Sequence, residues 1–207
     1  MGTSTIFDLI GSIIIAGTLG LMIMNTHAQM SQMNYTNSED YIVQSNMRNL
    51  SRILEKDLRL IGYCANPNNF PTGSVAIVAG DTNKITFLAD LYNNGTMDTV
   101  YYYCGTKAQA SNTLNPNDFP IYRRIGAPVA ANSYTDSMSV GCTQFQLQFF
   151  DNYNVQMATP LPGDSLSGVR FMQITIFLES PFAYDSSRYT YAYWRQMRLA
   201  GINLMNR

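Results

Sequence analysis

Two hydrophobic periods divide this chain. From Leu9 to Met24 sixteen residues pass without a charge, and the uncharged stretch continues to Ser38 if His27 is neutral. Such a segment is apolar on every side, which suits a membrane or a bundle of like helices. From Val43 the pattern narrows to one stripe: Val43, Met47, Leu50, Leu54, Leu58 and Ile61, at spacings of 4, 3, 4, 4 and 3. That is one face of an α-helix. Arg48, Arg52, Glu55, Lys56, Asp57 and Arg59 are assigned to the polar side, where Glu55 and Arg59 form an opposite-charge i,i+4 pair. No proline occurs before Pro67, and Gly62 followed by Asn66-Pro67 supplies a stop. The reading is a single helix from about Thr5 to Ile61, on the order of 80 Å long, with Gly11, Gly17 and Gly20 softening its first half.

Beyond Ile61 the period shortens to two. "KITFLADLYNNGTMDTVYYYC" predicts strands Ile85 to Tyr92 and Met97 to Cys104 about a two-residue Asn94-Gly95 turn. "FPIYRRIG" around Tyr122 predicts a third strand. "TQFQLQFFD" alternates Gln144, Gln146 and Gln148 with Phe145, Leu147 and Phe149, the clearest half-buried strand in the chain. "VRFMQITIFLES" is apolar on both faces and suits a central strand. "RYTYAYWRQMRL" places Tyr189, Tyr191 and Tyr193 on one face of a last strand. The expected class is α+β: one long helix packed on about six mostly antiparallel strands. Its segments are an apolar helix over 1–27, an amphipathic continuation over 28–62 and a β-rich head over 63–207.

Composition narrows the chemistry. The 207 residues carry a formal charge of −1 and show no basic cluster, so neither nucleic acid nor an anionic surface is favoured as a partner. One histidine and no CxxC pair argue against a zinc site, a Ser-His-Asp triad or a Cys-His pair. No cofactor is implied. Asp90, Asn94, Gly95 and Asp98 are similar to a calcium loop, but Tyr92 takes a ligand place and an ordinary Asn-Gly turn accounts for them better. In an oxidising compartment three cysteines would give one disulfide and one thiol. Of the three pairings, Cys104 with Cys142 is favoured because both sit at ends of predicted strands. The aromatic runs from Tyr101 to Tyr103 and from Tyr189 to Trp194 read as sheet faces, with a groove for peptide or sugar as the second reading.

One residue resists the simplest accounts. Asp8 is the only charged residue among the first 38 positions. A secretory signal peptide with Thr26-His27-Ala28 as its cleavage site would need a positive start, yet no Lys or Arg precedes Arg48. A plain single-pass anchor leaves the acid without a purpose, and a carboxylate in an apolar medium is costly unless paired or protonated.

An apolar amino-terminal helix with one acid near its start, continuing into an amphipathic helix and a β-sheet head, resembles the type IV pilin and pseudopilin family. "TIFDLIGSIII" from Thr5 to Ile15 is similar to that family's amino-terminal signature, with Asp8 at the position of its glutamate. "LEKDLRLIGYC", "DLYNNGTMDTVYYYC", "IYRRIG" and "CTQFQLQFFD" are similar to segments of PilW-like minor pilins and the J-type pseudopilins of type II secretion. The departures are local: Gly2 lies one place further from Asp8 than the family's processing glycine, no basic leader precedes it, and Ser4 takes the first mature position. The resemblance implies a non-enzymatic filament subunit whose methylated amino terminus meets Asp8 of a neighbour. It implies residence in the inner membrane before assembly and in an extracellular filament afterwards. Its partners would be copies of itself or related pilins, together with a pilus or secretion assembly machinery. Gly11, Gly17 and Gly20 would serve close helix packing.

Overall fold

A computed structural model describes residues 2–71, 73–110, 113–126, 134–182 and 190–199. One helix, α1 (Gly2–Arg59), runs for 58 residues without interruption, about 87 Å at 1.5 Å per residue. Its end follows the expected chemistry. Leu60 and Ile61 donate to the carbonyls of Asp57 and Leu58, tightening the last turn, and Gly62 then takes a left-handed conformation at φ 73°. Ile61 therefore lies just outside the helix but stays buried, completing the predicted stripe.

The head is a single seven-stranded sheet in which every neighbour is antiparallel and consecutive in the chain: β1 (Ile77–Gly80), β2 (Lys84–Ala89), β3 (Asp98–Cys104), β4 (Phe119–Ile125), β5 (Tyr134–Phe150), β6 (Phe171–Glu179) and β7 (Tyr191–Leu199). Its inner face carries Phe87, Tyr102, Phe145, Leu147, Phe149, Ile174 and Ile176, which join Leu50, Leu54 and Leu58 of α1 in one core. The glutamine and phenylalanine alternation of β5 is observed as expected, with Phe145, Leu147 and Phe149 buried and the glutamines on the outer face. β6 is paired on both edges, which suits its apolar composition. Tyr189 lies outside the described residues, whereas Tyr191 and Tyr193 stand exposed on β7.

Three expectations are corrected. β1 adds a seventh strand; it is only four residues long, and a register shift between Ile77 and Ala79 breaks the alternation that would have marked it. β5 begins at Tyr134, well before the alternating run, through a polar segment and a bulge at Gly141. A Cβ on Gly141 would lie 2.0 Å from the Glu179 carbonyl oxygen, so close approach and a φ of 77° both require glycine there.

The Asn94-Gly95 turn is the third correction. β2 and β3 stop at Ala89 and Asp98, leaving a loop of several residues rather than two. The buried Asp90 carboxylate organises that loop by accepting the backbone N–H groups of Asn94 at 3.0 Å, Gly95 at 2.8 Å and Ala65 at 3.1 Å. Burial alone would raise the Asp90 pKa, but these N–H donors win and hold it below the usual carboxylate value. Both carboxylate oxygens thus face donors, the opposite polarity to a calcium ligand. Through Ala65 the same side chain ties the helix exit to the sheet.

Candidate assembly surface

Residues 2–38 of α1 touch no part of the head closely enough to be buried. Between Ile6 and Met33 the helix exposes fourteen large apolar side chains, among them Phe7 at 73 % and Met24 at 70 %. Fully covering each would gain about 1.5–3 kcal/mol, a sum of roughly 20–40 kcal/mol that exceeds the net stability of an ordinary domain. A surface of that size gains from cover by an apolar medium. This is the one helix among the described residues that is long and apolar enough to cross a membrane.

The polar atoms on this rod are arranged for an apolar setting. Thr5, Ser12 and Thr18 donate their hydroxyls to the carbonyls of Gly2, Leu9 and Ile15, and Thr26 to that of Met22. These bonds within the helix remove the cost of bare hydroxyls away from water. Asp8 is exposed and, among the described residues, joins neither of the two ion pairs that form. A Cβ added at Gly11, Gly17 or Gly20 meets no atom within 4 Å. No contact among the described residues therefore explains the three glycines, whose faces are open.

Below the rod, two acids fix the helix on its sheet. Glu39 is buried and accepts the Ser180 hydroxyl at 2.9 Å, while the nearby Tyr35 hydroxyl donates to the Phe182 carbonyl at 3.1 Å. Eighteen residues further on, about 27 Å along the axis, Asp57 is 2 % exposed. Its Oδ2 accepts Nε of Arg123 from β4 and the hydroxyl of Tyr102 from β3, both at 2.6 Å. Burial would lower the Arg123 pKa, but Asp57 and Tyr102 raise it above the ordinary value; the Tyr102 hydroxyl is raised by burial and then by Asp57. Such a pair gives little net stability against an apolar replacement, yet losing one partner is expensive. It sets the axial register of helix on sheet.

Asp57 was expected on the polar side and is not there. The signal that could have found it is its place three residues after Leu54, on the same face as the stripe; Glu39, four before Val43, shares that line. The Glu55–Arg59 pair is absent from the ion pairs formed by the described residues.

The three cysteines are free thiols. Cys104 and Cys142, the favoured disulfide partners, lie on β3 and β5 with β4 between them. Two strand spacings amount to about 9.5 Å, beyond the reach of a disulfide. Burial pushes the Cys104 thiol up to about 12 and raises that of Cys142 further, with Cys104 adding to the second shift. Both are unreactive as nucleophiles at neutral pH.

No family model matches this chain, and a search of curated proteins finds no match.

Proposed function

We propose that this chain is a non-enzymatic structural subunit of a type IV pilus-like or type II secretion-like filament, assembled through the apolar half of α1. The observation that carries this reading is the continuity of α1: one unbroken helix is docked on the head from Tyr35 and Glu39 onward and exposed on every side over the apolar run from Ile6 to Met24. The α+β arrangement is consistent with a pilin-like fold, and the amino-terminal resemblance supplies the mechanism. Before assembly the rod sits in the inner membrane; in the filament, rods from successive subunits cover one another. Asp8 then meets the terminal ammonium of a neighbour. Two charges that are costly apart neutralise each other among the helices and set the stagger between subunits. Gly11, Gly17 and Gly20 let backbones approach.

The second reading is a membrane-anchored extracytoplasmic binding domain that never polymerises, favoured by the same span taken alone. Shearing cells that express the chain separates the two. The filament reading expects released filaments that contain the chain, with an amino terminus that sequencing shows to be cleaved and methylated. Recovery of the chain only as a membrane-bound monomer would reject it.

A further inference from the structure

The outer face of β5, β6 and β7, turned away from α1, combines a row of amides with aromatic rings. Gln144, Gln146 and Gln148 project from β5 beside Gln173 and Thr175 of β6, and Phe177 and Tyr193 close one end. Together they line an open groove of about 310 Å³, and none of these seven side chains is charged. The amides are already ordered: Gln144 donates to Gln146 at 3.3 Å, and Gln173 donates to Gln148 across the strands. Each primary amide has two donor hydrogens and an acceptor oxygen with two lone pairs, so Gln144, Gln146 and Gln148 still present donors and acceptors side by side after those bonds are made, with Gln173 buried beside them. At the end of the row Phe177 stacks on Tyr191, centroids 5.2 Å apart, and packs against Tyr193 at 5.5 Å. Phe177 thereby holds two tyrosines that remain 63 % and 51 % exposed.

We propose that this face binds a neutral polysaccharide, whose sugar rings stack on Tyr191 and Tyr193 while their hydroxyls bond to the glutamine row. The chemistry selects that occupant. A polyanion such as nucleic acid needs several cationic side chains to replace its counterions, whereas the seven lining residues supply none and the β6–β7 register adds Arg195 alone opposite Thr175. An extended peptide gains affinity by adding to a sheet edge, whereas the glutamine row lies on the face of β5 and β6, each paired on both sides. Adjacent hydroxyls on a sugar ring act as donor and acceptor at once, which paired amides match, and the ring's C–H face is the apolar counterpart of an exposed tyrosine. The site does not depend on filament formation, because it lies on one subunit and faces away from the helix.

The test is affinity electrophoresis of the full-length chain in lipid nanodiscs, through gels containing a soluble β-glucan, a dextran, a galactomannan, an alginate or single-stranded DNA. The alginate and DNA gels probe Arg195, which stands opposite Thr175 in the β6–β7 register. Retardation by at least one neutral polymer is expected, weakened about tenfold by Tyr193→Ala and likewise reduced by Gln146→Ala. Tyr103→Ala, on β3 where Tyr103 stacks on Tyr122, leaves it unchanged. Thermal melting of each variant checks the fold, and the exposed Gln144 provides Gln144→Ala as a second probe should Tyr193→Ala melt early. No retardation by any neutral polymer overturns the proposal. So does retardation by alginate or DNA alone, or retardation that survives Tyr193→Ala, Gln146→Ala and Gln144→Ala alike.

Discussion

The two halves of α1 share one backbone and differ in what surrounds them. Residues 39–59 bury Glu39, Val43, Met47, Leu50, Leu54, Asp57 and Leu58 along a single line, and the opposite side is polar. Residues 2–38 bury no side chain; they are apolar all round as far as Met24 and largely polar from Asn25 to Ser38. The comparison shows what each half is selected for. In the docked half, position on the face decides the residue, so even acids occur on the stripe where the sheet answers them. In the free half no direction is privileged between Ile6 and Met24, because the head covers none of it.

Asp57→Ala should break the docked half most severely. It leaves the Arg123 guanidinium, only 18 % exposed, without its carboxylate, a loss of about 3–5 kcal/mol. Denaturant unfolding followed by aromatic circular dichroism measures it, and adding Arg123→Met should restore much of the loss. Leu54→Ala, at a fully buried position, should cost about 2–5 kcal/mol by opening a cavity. The matched change Leu19→Ala, at a side chain 53 % exposed, should leave head stability unchanged in the same measurement. Equal losses from Leu54→Ala and Leu19→Ala would erase the distinction between the halves.

Asp90→Asn sharpens the lower boundary, where the helix exit joins the sheet. The folded pKa of Asp90 lies below its unfolded value. Its contribution is therefore fully present above the ordinary carboxylate pKa of about 4 and is lost as pH falls through the lower, folded value. The variant should be less stable than the parent at pH 7, and the gap should close on acidification. Asp98 and Asp118 shift upward, chiefly by burial, and act in the opposite sense. Comparing variant with parent at each pH isolates Asp90 from both.

How far these features could be read in advance follows from how local their causes are. The stripe from Val43 to Ile61 and the alternation in β5 depend on spacing along the chain, and both appear as read. Gly62 ends the helix region through its own backbone freedom. Asp57 was misplaced because its partner Arg123 stands 66 positions away, and charge alone suggests an outward side. The Asn94-Gly95 turn was misread for a related reason: Asp90 collects N–H donors from its own loop and from Ala65, 25 positions earlier. Of the candidate site, Asp8 and the three glycines were legible only as anomalies in an apolar run, because no contact among the described residues answers them.

The smallest effect on the isolated chain falls at Gly17→Ala. A Cβ there meets nothing within 4 Å, so the helix gains about 0.5–1 kcal/mol locally and the head melts as before. Filament yield should nonetheless fall, because the added methyl holds neighbouring helices apart. Unchanged yield would remove Gly17 from the packing surface.

Asp8→Ala tests the central claim most directly. Sheared surface material from cells expressing the parent chain or Asp8→Ala would be compared by electron microscopy, with the melting of each head as control. The account predicts filaments containing the parent chain, none from the variant, and identical melting of the two heads. Normal filaments from the variant, or no filaments from either, would contradict it.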